Sequence, residues 1–229
     1  MSRVIKSGLV LLAVVGLYQV AASATGTAVP MGGGGAAAAP KSPAEMARES
    51  YNSGIEHKDK AKKLEGEFAS QIFRNPKDEE KAAGKIKDEY TKGLKDFKKA
   101  AELDPTLYQA FNGMGFTLRK TGDAVKALEM YDKALQMAPG FPDAMEYRGE
   151  AYLALGRVED AKQSYLKLFA SDRTQAEVLM KAMTSWVAKP PTGADPAAVA
   201  TLDTWLKERA KIATVTSDMG LRSNRSVWK

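Results

Sequence analysis

A shift of 34 residues lays much of this chain over itself, and that period limits the fold more than any other feature of the sequence. Gly115 falls on Gly149, Leu118 on Tyr152, Gly122 on Gly156, Ala127 on Ala161 and Tyr131 on Tyr165. In the other direction Phe97 falls on Tyr131, Ala100 on Ala134 and Pro105 on Pro139. The matched residues have distinct physical tasks. Gly115 and Gly149 stand inside helical patterns, where glycine costs about 1 kcal/mol against alanine, so a neighbour must pass too close for a Cβ. Ala127 and Ala161 are expected to do the same on the second helix of each pair, with Tyr131 and Tyr165 filling the gaps beside these small residues. Gly122 and Gly156 are placed to end a helix in the left-handed conformation. Asp104-Pro105 and Ala138-Pro139 close the following helices and redirect the chain.

The stretch FNGMGFTLRKTGDAVKALEMYDKALQMAP, from Phe111 to Pro139, carries nearly the whole small/large pattern of one such unit. It resembles the tetratricopeptide repeat family. The resemblance implies an all-α fold, an α-solenoid of antiparallel helix pairs, with about three units and a C-terminal capping pair. The clearest unit is 108–141. Its successor, 142–175, has Leu168 where the family has alanine and Arg173 where it has proline. An expanded unit, 42–107, precedes them. Gly54 and Phe97 are 43 residues apart there, against 16 for Gly115 and Tyr131, so the excess around 64–83 is expected to lengthen both helices and turn at Asn75-Pro76. Phe68, Ile72 and Phe73 are expected to pack within that extension. Residues 174–213 supply the capping pair, broken at Lys189–Gly193 and restarted by Asp195 as N-cap with Pro196 in the first turn. Residues 214–229 show no period and are expected as a loose tail.

Ahead of the repeats, Arg3 and Lys6 precede an apolar run from Gly8 to Val20, which ends at Ala22-Ser23-Ala24. A basic start, a short apolar core and an A-x-A ending make a secretory signal peptide over residues 1–24. The alternative is an inner-membrane anchor at 8–24, at the short end of the roughly 17–25 residues a span needs. Residues 25–41 are rich in glycine and alanine and are expected as a flexible tether. The chain has no cysteine, so an exported fold stands without disulfides, which suits the bacterial periplasm.

The same composition excludes most chemistry. There is no cysteine nucleophile, and His57 is the single histidine, too few for a histidine metal site or a triad. His57 is expected as a packing or surface residue. Gly32 to Gly35 lack the strand and the Gly-Lys-Ser/Thr of a phosphate loop. Glu79/Glu80 and Glu159/Asp160 lie in charged stretches and are expected to be solvated. Met114, Met130, Met137 and Met145 fall in the packing pattern and are expected as core. The formal charge is +6, but no region concentrates one sign, which disfavours nucleic acid. No cofactor or metal is called for, and the chain is not expected to be an enzyme.

The resemblance implies a partner protein or peptide lying along the first helices of the pairs. By spacing, that face carries Arg48, Tyr51, Ile55 and Lys58, then Gln109, Asn112, Phe116, Arg119 and Lys120, then Asp143, Glu146, Glu150 and Leu153. Asn112, Phe116, Arg119, Lys120, Glu146 and Glu150 are the candidate binding residues. The groove is basic in one stretch and acidic in the next. Family members that clamp a terminal carboxylate use basic residues in consecutive units, a pattern from which Asp143, Glu146 and Glu150 depart. A small-molecule or glycan site near Trp186 and Trp205 is the alternative.

Overall fold

The computed structural model describes residues 40–226, with side chains described as far as Lys211. The expected signal peptide (1–24), nearly all of the expected tether and residues 227–229 lie outside the described residues.

Among the described residues eight helices follow one another: α1 (Pro43–Ser70), α2 (Pro76–Leu103), α3 (Tyr108–Lys120), α4 (Ala124–Met137), α5 (Pro142–Ala154), α6 (Val158–Ser171), α7 (Arg173–Ala188) and α8 (Pro196–Ser226). Their starts are set by local chemistry. The Glu45 N–H donates to Ser42 Oγ at 3.3 Å while the Ser42 N–H donates to Glu45 Oε2 at 2.8 Å, a reciprocal cap ahead of Pro43. Asn75 accepts from the Asp78 N–H at 2.9 Å and starts α2, and Asp123 accepts from the Lys126 N–H at 3.1 Å and starts α4. The turns inside successive units repeat bond for bond. Gly122 has φ +96° and Gly156 φ +70°, conformations that glycine adopts without a Cβ penalty. The Asp123 N–H then reaches Leu118 O at 2.9 Å, and the Arg157 N–H reaches Tyr152 O at 2.8 Å, 34 residues on.

The pairs α1/α2, α3/α4, α5/α6 and α7/α8 stack in sequence, and the first helices also touch one another: α1 with α3, α3 with α5, α5 with α7. The first helices therefore share one side of the solenoid, and the core runs between them and the second helices. Phe97 shows how close this stacking is. Its ring is fully buried between Gly54 of α1 and Gly113 of α3, and a Cβ added at either would stand 2.7 or 2.8 Å from it. Gly115 meets Tyr131 in the same way, at 2.5 Å.

The third unit departs from the period. Gly149 faces Leu179 of α7, 2.6 Å from an added Cβ, rather than the expected Tyr165. Asp172 alone connects α6 to α7, where the preceding units have a four-residue connection. Helix α7 starts early and brings Leu179 onto Gly149, while Tyr165 turns to Trp205 of α8 at 5.3 Å. Leu168 is fully buried.

Other expectations need correction. The stretch from Thr214 continues α8 to Ser226 and is not a loose tail. In the extension Phe68 and Phe73 pack at 4.9 Å, but Ile72 is 92% exposed. Met130 and Met145 are core, whereas Met137 is exposed. His57 links two helices, its Nδ1 lying 2.7 Å from Glu89 Oε2. The same carboxyl accepts from Lys92 and Lys60, and these contacts, Lys92 first, hold it down to about 2.

Candidate functional site

The shared side of α1, α3 and α5 holds a cleft of about 60 Å³. Helix α1 contributes Tyr51, Ile55 and Lys58, and α3 contributes Gln109, Asn112 and Phe116. Phe141 at the start of α5, with Asp143 and Tyr147, closes it. The wall is largely aromatic, with Tyr51, Phe116, Phe141 and Tyr147, and the Phe116 and Tyr147 rings meet edge-on at 5.0 Å. Two charges line the opening. Lys58 Nζ lies 5.8 Å from the Phe116 ring centre, and burial pulls its ammonium below the usual lysine range. Asp143 Oδ1 accepts from Gln175 Nε2 at 3.0 Å, which ties α5 to α7.

Of the residues expected to bind, Asn112 and Phe116 line this cleft, at 8% and 4% exposure. Arg119 and Glu150 are half-buried outside the cleft lining and meet each other, Nη1 to Oε2 at 2.5 Å, with the guanidinium 5.5 Å from the Phe116 ring centre and 5.7 Å from that of Tyr147. Glu146 is 1% exposed and has Oε1 without a hydrogen-bond partner. Burial first, and then the Glu150 carboxylate, push its pKa up to about 8. Burial likewise raises the Tyr147 phenol to about 12. Lys120 is apart from the others: it pairs with Glu65 of α1 at 2.8 Å. Leu153, placed by spacing on the same face, is core.

The opposite charges of the two units are thus largely spent on one another. Sequence reasoning assigned Arg119 and Glu150 to one face without pairing them, and it missed that Glu146 is buried. The i, i+4 spacing of Glu146 and Glu150 put both on one inward face, but spacing carries no sign of depth. Asn112 Oδ1 and Arg119 Nε are also buried without partners. Among the described residues no cluster of histidine and carboxylate groups could hold a metal ion. Trp186 and Trp205 both pack on the core cluster of the last units.

A series of antiparallel helix pairs with its first helices on one side is a helical-repeat solenoid. The model of the tetratricopeptide repeat family matches residues 118–183, from the end of α3 into α7. Such repeats are generally protein-interaction scaffolds and typically non-catalytic. No curated protein matches the sequence.

Proposed function

We propose that this chain is a non-catalytic scaffold that holds a peptide or short helix of a partner protein along α1, α3 and α5. The observation that carries this reading is Asn112, a buried amide on the cleft wall whose Oδ1 has no partner. An unmet buried acceptor costs about 1–3 kcal/mol, and a peptide N–H entering the cleft offsets that cost. The cleft admits one side chain or one stretch of backbone, and the aromatic wall gives it apolar contact. Because Arg119 and Glu150 neutralise each other, the charges offered to a partner at the cleft are Lys58, which has the exposed Asp59 carboxylate 3.8 Å from its Nζ, and Asp143. The partner then carries an acidic group toward α1 and a basic one toward α5.

We also propose that the chain works in the bacterial envelope. The reading is supported by the basic start, apolar run and Ala22-Ser23-Ala24 ending of residues 1–24. N-terminal sequencing of the protein from its host should find Thr25 first. Retention of Met1 in a membrane fraction would favour the anchor at 8–24 instead.

Cross-linking in cells tests the binding reading. Residues 25–229 should give one defined protein adduct, and reversing both cleft charges with Lys58→Glu and Asp143→Lys should remove it. An adduct that persists through the reversal would place the partner elsewhere.

A further inference from the structure

Another cavity among the described residues is at a step in the solenoid. Helices α1 and α2 each run for 28 residues, while α3 has 13 and stops at Lys120. Beyond that point the outer halves of α1 and α2 have no α3 beside them. A pocket of about 320 Å³ opens there, lined by Glu65 and Phe68 of α1, Ala83, Ile86, Lys87 and Tyr90 of α2, and the Lys120–Thr121 end of α3. Its size falls at the lower end of the roughly 300–1,000 Å³ typical of small-ligand sites. It shares no lining residue with the α1/α3/α5 cleft.

Its chemistry is divided. Phe68, Ala83 and Ile86 give an apolar wall, and the Tyr90 ring lies at the bottom with the residue 1% exposed. The polar groups are donors. Tyr90 OH is buried and makes no hydrogen bond, and burial together with the nearby Glu65 keeps the phenol protonated at any ordinary pH. Lys120 Nζ lies 6.0 Å from the Tyr90 ring centre, and its one carboxylate partner is Glu65 at 2.8 Å. Lys87 is exposed and lacks an ion-pair partner among the described residues. One carboxylate, Glu65, thus faces two ammonium groups and the phenol, so the pocket is short of one anion. A head that accepts hydrogen bonds and a tail that fills an apolar wall belong to one class of molecule.

We infer that this pocket binds a small organic carboxylate with an apolar body, its carboxylate held by Lys87, Lys120 and the Tyr90 hydroxyl and its body against Phe68 and Ile86. The site is independent of the peptide cleft and arises from the extension of the first unit.

The test is calorimetric titration of the protein with octanoate, octylamine and octanol, which share a tail and differ in the head. Octanoate should bind, and octylamine and octanol should each bind at least about tenfold more weakly. Ala83→Trp, at an exposed position of α2, should fill the wall and abolish octanoate binding, and Lys87→Glu should weaken it about tenfold. Circular dichroism should show the helix content unchanged in both variants. Failure of octanoate to bind at millimolar concentration, equal binding of octylamine, or binding that survives Ala83→Trp would overturn the assignment. The octanoate and octylamine arms use the unaltered protein, so the outcome does not depend on how the variants fold.

Discussion

A carboxyl group held out of water beside a second carboxylate keeps its proton well past its ordinary range, and Glu146 is in that position. Its pKa rises from 4.5 to about 8 in the folded chain. The folded state therefore binds a proton that the unfolded chain has lost between those values. Stability contributed by the neutral acid is fully present below about 4.5 and declines as pH rises through about 8. Glu146→Gln keeps the shape and removes the titration. We expect the variant to match the parent near pH 4.5 and to be more stable by about 1–3 kcal/mol near pH 8. Thermal denaturation at both values decides it; equal differences at the two would contradict the assignment. Glycine gives a second contrast at this scale. Gly115→Ala drives a methyl to 2.5 Å from the fully buried Tyr131 ring and should destabilise by about 1–3 kcal/mol. Gly84→Ala, in α2 with open space around it, should stabilise by about 0.5–1 kcal/mol. Urea titration separates the two signs. Gly115 was legible because the period repeats it at Gly149; the burial of Glu146 was not, because spacing assigns a face and says nothing of its depth.

At the scale of elements, helix starts were the most legible feature. Ser42 with Glu45, Asn75-Pro76 and Asp195-Pro196 each pair a side-chain acceptor with a residue suited to the first turn. Helix ends were less so. The stretch after Thr214 lacks an apolar period, yet α8 runs to Ser226: a helix needs no periodic face where local propensity and an existing nucleus extend it. The α6–α7 junction is the element most open to test. Asp172 both ends α6, its N–H donating to Leu168 O at 2.6 Å, and starts α7, its Oδ1 accepting from the Gln175 N–H at 3.0 Å. Asp172→Ala should cost about 1 kcal/mol and Asp172→Asn much less. Equal losses in chemical denaturation would assign the effect to charge rather than to the cap. Arg173, standing where the family has proline, was the sequence sign of this shortened junction. The consequence for Gly149 and Leu179 depends on where α7 comes to rest, which no local signal encodes.

For the molecule as a whole, the repeat made the all-α solenoid and its inward layer of first helices legible, since one period fixes both the pairing and the side that each helix presents. What it did not show is how charges from different units meet. Arg119 and Glu150 belong to successive units and close on each other, so the groove offers Lys58 and Asp143 rather than a long basic stretch followed by an acidic one. The central claim is that a partner protein occupies the α1/α3/α5 cleft. The most direct measurement is site-specific photo-cross-linking in the native host, with the reactive residue at Gln109 on the cleft wall and, separately, at Val125, which is 59% exposed on α4. The account predicts one protein adduct from Gln109 and none of that size from Val125. An adduct from Val125 with none from Gln109 would contradict it.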